Sequence, residues 1–419
     1  MKFALLALTI LALGATAMAQ LPAPDQLPAH QELPDPLVAL DGSKIATKED
    51  WLAKRRPELK NLFQHYMYGT IPGKPANLAF KVERVDPHAL GGKATLKEIT
   101  ISFGPPETPK MHLLLVIPNK RSGPAPVFVG LNFEGNHTLL NDPKIRLPLG
   151  WVDGNRKGVV KNRATEESRG ISVDRWSLEQ NIDAGYAVAT VYYGDIVSDR
   201  TDVREGVQNH IKTGAPADHD WGAIAAWAWG LQRIVDYLVT DGDIDATRII
   251  AFGHSRLGKT ALLAAAFDER IAAAIPSQAG CGGTAPSRTT NPKAETVKVI
   301  TKRFPHWFTP TFSKFRDSVD TIPFDQHALI ALVAPRPVLL SNALEDQWAD
   351  PDGQFRLLIA ADPVYKLLGS EGLGATKRPS VGGALLSPLG FSYREGKHSV
   401  TPADWKTFVD FANARLKKG

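Results

Sequence analysis

The sequence predicts an α/β fold: a three-layer αβα sandwich around one open, mostly parallel sheet. Three observations lead there. From about residue 78 apolar strand-like runs alternate with helical patterns. The early runs follow one another closely, as an antiparallel edge requires, whereas the later ones are separated by helices, as parallel crossovers require. Finally, the central runs are apolar almost throughout, which fits strands covered on both faces.

The strands are expected at LAFKVERVD, ATLKEITISFG, MHLLLVIPN, PVFVGLNFEG, YAVATVYYGD, RIIAFGHS, IAAAIPSQAG, PVLLSNALE and LGFSYREG. Helical patterns include Lys48 to Tyr68, DWGAIAAWAWGLQRIVDYLV and TPADWKTFVDFANARLKK. Residues 20–36 are proline-rich and predict an extended wrap over the surface. With no repeat or low-complexity linker, residues 20–419 read as a single catalytic domain. Two irregular stretches, near 138–180 and 281–312, are expected as insertions over the carboxyl edge of the sheet.

The first twenty residues, MKFALLALTILALGATAMAQ, have the order of a secretory signal: Lys2, an apolar run, then Ala17-Met18-Ala19. A signal peptide over 1–19 with cleavage after Ala19 is therefore expected, and a secreted or periplasmic product. The apolar run is too short to span a bilayer comfortably. Cys281 is the only cysteine, which excludes an intrachain disulfide and a cysteine-based metal site. The formal net charge is +5, but the basic residues are dispersed, which reads as a solvated surface and not a nucleic-acid footprint. No cofactor, no metal, no nucleic-acid partner and a monomeric state are the expectation.

Chemistry is carried by RIIAFGHSRLGK, where a buried strand runs through Gly253-His254-Ser255 directly into a helix. That is the context of a nucleophile elbow, in which Gly253 permits a tight turn and Ser255 is exposed at the carboxyl edge of the sheet. The following helix points its first N–H groups at the same place, where negative charge would develop. Ser255 as a simple N-cap is the competing explanation, and the second glycine of the elbow falls one place late, at Gly258.

A nucleophilic serine needs a base and an acid, which in an α/β-hydrolase fold follow in the order Ser, acid, His. His398, in YREGKHSV after the last strand, has the position of the base. His327 opens a helix and reads as structural. His254 is expected to point away from the nucleophile if it continues the strand. The acid is sought on LEDQWADPDG, where Glu345, Asp346 and Asp350 are available and Asp346 is the first choice.

GHSRLGK, Trp348 in EDQW and His398 in GKHS together resemble the glucuronoyl esterases of carbohydrate esterase family fifteen, particularly the bacterial ones. LNFEGNHT at 131–138, FPHWF at 304–308 and FDQHALIALVAPRPV at 324–338 extend the resemblance over most of the chain. It implies hydrolysis of the ester between a (4-O-methyl-)glucuronic acid of glucuronoxylan and a lignin alcohol. It also implies that Ser255 is the nucleophile, His398 the base and Arg256 an aid to the oxyanion. Lys259, Trp348 and Glu295 would contact the uronic sugar.

One departure stands out. The fungal members carry their acid as a glutamate after the strand that follows the elbow, where this chain has Gln278. Some bacterial relatives place it two residues before the tryptophan, which is Asp346 here. The fungal Gly-Cys-Ser is Gly-His-Ser in this chain, without a disulfide partner. Another carbohydrate esterase, such as an acetyl xylan esterase, and a catalytically decayed sugar-binding protein remain as alternatives.

Overall fold

The computed structural model describes residues 21–203 and 205–416. The predicted signal peptide at 1–19 lies outside the described residues. Ten strands form one sheet: β1 (Ala79–Ala89), β2 (Ala94–Ser102), β3 (Met111–Pro118), β4 (Ala125–Asn132), β7 (Ala187–Tyr192), β8 (Ile244–His254), β9 (Ala273–Ser277), β10 (Val338–Ala343), β11 (Gly383–Leu385) and β12 (Leu389–Arg394). A separate hairpin pairs β5 (Val159–Val160) with β6 (Arg163–Ala164). The order across the large sheet is β1-β2-β3-β7-β4-β8-β9-β10-β12-β11. β1 to β3 are antiparallel, β7 through β12 run parallel in the centre, and β11 closes the far edge antiparallel. This is the α/β-hydrolase arrangement, and each of the nine expected strands has a counterpart in it. The short β11 lies in a turn-rich stretch with no periodic signal.

Why the central strands are apolar throughout is visible residue by residue. On β8, Ile249 and Ala251 face one core while Ile250 and Phe252 face the other. On β3, Leu113, Leu115 and Ile117 alternate in the same way with Leu114 and Val116. The larger core is covered by the helices Ala223–Leu238, Arg256–Phe267, Gln326–Ala331 and Pro351–Leu367. The helix Pro402–Arg415 and the shorter Leu178–Asp183 cover the other face.

The helical run over 48–68 is continuous but not regular. An α-helical centre, Arg56–Phe63, is flanked by π turns at Trp51–Arg55 and Gln64–Tyr68. The proline-rich segment lies on the body of the molecule: Leu27 is buried, and the Pro34 carbonyl meets Nε2 of His327 at 2.7 Å. His327 is thus fully buried in a structural contact. The two stretches expected to be irregular contain order. Residues 138–180 hold the β5–β6 hairpin and the helix Val173–Trp176, and residues 281–312 hold the helix Val297–Arg303.

An aromatic cluster ties the carboxyl-terminal helix to the sheet. Trp405 lies 4.6 Å from Phe252, 5.4 Å from Phe128 and 5.4 Å from Phe408 between ring centroids. Its indole N–H donates to the Arg175 carbonyl at 2.8 Å. Replacing Trp405 by alanine leaves a large cavity and one unmet acceptor, and we expect a loss of about 3–5 kcal/mol. A shift of the urea midpoint at constant slope checks this.

Candidate active site

β8 ends at His254, and Ser255 turns the chain with φ 59° and ψ −127°, a backbone state that non-glycine residues rarely occupy. The turn is held by the Ser255 N–H donating to the Ser277 carbonyl at 2.9 Å. It also depends on two missing side chains. A Cβ on Gly253 would lie 1.9 Å from the Leu257 carbonyl oxygen. A Cβ on Gly258 would lie 3.0 Å from the Gly253 oxygen and 3.1 Å from the Ser277 oxygen. The late glycine is therefore the contact at which the helix Arg256–Phe267 crosses the ends of β8 and β9. Ser255 makes no side-chain cap to that helix, which removes the simple N-cap explanation.

The seven candidate residues, Ser255, Arg256, Lys259, Glu295, Asp346, Trp348 and His398, all line one cavity of about 290 Å³ at the carboxyl edge of the sheet. Asp346, in the turn after β10, is buried, and its Oδ2 meets Nδ1 of His398 at 2.7 Å. This contact leaves Nε2 as the imidazole nitrogen available for proton transfer. The other two carboxylates of the loop do different things. Glu345 is exposed to solvent. Asp350 caps the helix Pro351–Leu367 through the Gly353 N–H and also accepts from Thr289 and Asn291.

Gln278 is not a vacancy where an acid was lost. Its Nε2 donates to the Ser399 carbonyl at 2.6 Å, and its Oε1 accepts the Ser399 N–H at 3.1 Å. The amide thus grips both backbone groups of the residue after His398, which a carboxylate cannot do because it has no donor. Arg394 holds the same loop from the other side, donating to the Ser399 and Lys397 carbonyls at 2.6 and 3.2 Å. Arg394 is in turn fixed by both oxygens of Asp404.

His254 is the last paired residue of β8, and its ring lies 4.4 Å from that of His398 between centroids, tilted by 42°, without lining the cavity that holds Ser255. Burial, together with the nearby His398 and arginines, pushes its imidazole well below the ordinary value and keeps it neutral.

Lys259 is neither solvated nor on the surface. It is buried, with Nζ donating to the Ala279 carbonyl, and burial lowers its pKa against an opposing pull from Glu295. Burial likewise raises the pKa of Glu295, offset in part by Lys259 and Arg303. Among the described residues no ion pair joins the two; Glu295 instead takes a side-chain hydrogen bond from Trp348, and both groups keep hydrogen-bonding capacity toward the cavity they line. Trp348 stands at the rim, 44% exposed.

Arg256 is held from behind. Its Nη1 donates to Asp199, and its guanidinium lies 4.8 Å from the centroid of Trp307. Asp199, His306 and Trp307 escaped sequence reasoning. Trp307 stands in the FPHWF motif, whereas Asp199, in VSDR, has no local signal. No group of three His, Cys, Asp or Glu side chains among the described residues has the arrangement of a metal site. Nor is any helix among them long and apolar enough to cross a membrane.

The family model for glucuronyl esterases of fungi matches residues 169–369. A carbohydrate esterase from an unknown prokaryotic organism is 45% identical over 399 residues, covering 94% of this chain and 91% of that protein. A solved structure of a promiscuous esterase from a marine bacterial metagenome superposes with a TM-score of 0.87 at 45% identity, covering 94% of this chain and 99% of that one. The glucuronoyl esterase from Solibacter usitatus superposes with a TM-score of 0.86 at 40% identity, covering 94% of this chain and 100% of the other.

The two-point grip of Gln278 makes a specific prediction. Gln278→Glu sets a carboxylate oxygen against the Ser399 carbonyl, and we expect a loss of about 1–3 kcal/mol in stability. Turnover should fall as well, because the base is displaced. Urea denaturation and an esterase assay on the same preparation check both.

Proposed function

Because the chain belongs to the glucuronoyl esterase family of carbohydrate esterases, we propose that it works on uronic acid esters through Ser255, His398 and Asp346. It is a carboxylic ester hydrolase of that substrate class. The observation that supports the triad best is the 2.7 Å contact between Asp346 Oδ2 and His398 Nδ1, beside the strained turn at Ser255.

The chemistry follows as a two-step acyl transfer. His398 takes the Ser255 proton at Nε2 as the serine oxygen attacks the uronoyl carbonyl, while Asp346 stabilises the imidazolium. The alcohol departs with that proton and leaves a uronoyl ester on Ser255. His398 then deprotonates a water that attacks this ester, and the serine leaves with the proton. Arg256 supplies its backbone N–H, at the start of the helix, and its guanidinium to the developing oxyanion. An N–H aimed at the oxyanion is worth about 100- to 1000-fold in rate.

A uronic acid ester is uncharged but rich in hydroxyls. Lys259 offers donors and Glu295 an acceptor for these, and the Trp348 ring offers an apolar face to the sugar. The substrate we propose is the ester joining a glucuronic or 4-O-methylglucuronic acid of glucuronoxylan to a lignin alcohol. The protein acts after export and removal of residues 1–19, as a single-domain monomer without metal or cofactor. The order of the first twenty residues supports the export step.

Hydrolysis of benzyl glucuronate tests this reading. Asp346→Asn is expected to lower kcat by about 10,000-fold, and Ser255→Ala by at least as much. Glu345→Gln, at an exposed position, should stay within about twofold of wild type. A preference for acetylated xylan over the uronate ester would instead make the chain an acetyl xylan esterase. Sugar binding with turnover indifferent to Ser255→Ala would make it a binding protein.

A further inference from the structure

We propose that Asp199 is a positioning residue of the active site: from a buried junction with His306 and Trp307 it sets the direction of the Arg256 guanidinium. This rests on the reading that Arg256 meets the oxyanion.

Asp199 lies beyond the end of β7, with its side chain 4% exposed. One oxygen, Oδ2, accepts from Arg256 Nη1. The other, Oδ1, lies 2.7 Å from Trp307 Nε1 and 2.7 Å from His306 Nε2. Three donors from two other segments thus converge on one carboxylate. Burial pushes this carboxyl up, but His306, Arg256 and Trp307 together hold it below its usual value, so it stays an anion.

Rings of the same segment, together with Phe133, surround the guanidinium. Phe304 and Trp307 stack at 3.9 Å between centroids and only 4° apart in tilt. Arg256 lies 4.8 Å from Trp307, 5.7 Å from Phe304 and 5.8 Å from Phe133. The hydrogen bond gives the direction, and the rings confine the group from three sides. Asp199 itself does not line the cavity, whereas Arg256 does and keeps 23% of its side chain exposed. The carboxylate therefore occupies one end of the guanidinium from behind, leaving other N–H groups to face the substrate.

A buried ion pair is a poor source of stability, because desolvation consumes most of the attraction. What it supplies well is order. A free arginine samples many rotamers, and a donor that must first be oriented gives up part of its transition-state stabilisation. The site would thus hold two aspartates, each behind a working group: Asp346 behind His398 and Asp199 behind Arg256.

The test is a double-mutant cycle on benzyl glucuronate with wild type, Asp199→Asn, Arg256→Ala and the double variant, each checked for a native thermal melt. We expect Asp199→Asn to lower kcat by about 10- to 100-fold, with KM changed by less than about threefold. In the Arg256→Ala background the same change should cost less than about twofold, because its effect runs through the arginine. A full additional loss in that background, or wild-type kcat in Asp199→Asn alone, overturns the proposal. If Arg256→Ala by itself leaves kcat intact, the oxyanion role fails and the positioning role falls with it. If only Asp199→Asn is silent, the oxyanion role stands and the positioning role fails. Should Asp199→Asn not fold, His306→Phe removes one donor to Asp199 while keeping a ring. It is expected to lower kcat by about 3- to 10-fold, again only when Arg256 is present, and additivity overturns the proposal there too.

Discussion

Everything in this site depends on the turn at Ser255. A serine at φ 59° is costly, roughly 1–3 kcal/mol, and persists only where its surroundings over-determine it. Here they do so by close approach: with no side chain at Gly253 or Gly258, the helix sits directly on the ends of β8 and β9. That approach sets the serine hydroxyl and the first N–H groups of the helix at one edge. The parallel order of β8, β9, β10 and β12 then brings Gln278, Asp346 and His398 to the same edge, because each follows the carboxyl end of its strand. Had any of these strands been reversed, its loop would lie at the opposite end of the sheet.

A loop histidine alone would be a poor base, since it would wander on its own backbone. In this chain Gln278 and Arg394 both donate to the Ser399 carbonyl, and Arg394 is anchored by Asp404 near the start of the last helix. The aromatic cluster around Trp405 fixes that helix against Phe252, two residues before the end of β8. The base and the nucleophile are thus referred to the same strand, one through its helix and the other directly. Packing in the core is translated into registry at the edge.

Much of this could be read from the residues, and the boundary is physical. The strands declared themselves because burial on both faces demands runs of apolar residues, as over Ile249–Phe252 of β8 and Val338–Leu340 of β10. The elbow was legible because glycine and serine at a strand–helix junction follow from local sterics. Asp346 was reachable as the carboxylate following the right strand, although nothing local separates it from Glu345, and only burial against His398 does so. The grip of Gln278 on Ser399 spans 121 residues, and that of Asp199 on His306 spans 107. No periodicity or spacing encodes a contact at that distance.

The charges of the site follow one rule. Its two working aspartates have buried side chains and spend their charge on neighbouring donors, Asp346 on His398 and Asp199 on Arg256, His306 and Trp307. The side chains that do face the cavity from the elbow helix, Arg256 and Lys259, are cationic. This polarity suits a reaction in which a neutral ester first becomes an oxyanion and finally a carboxylate. Glu295 is the exception, and burial weakens it as an anion while leaving it able to accept a hydroxyl. A cavity built in this way spends its positive charge on the reacting carbonyl and its neutral polarity on the sugar.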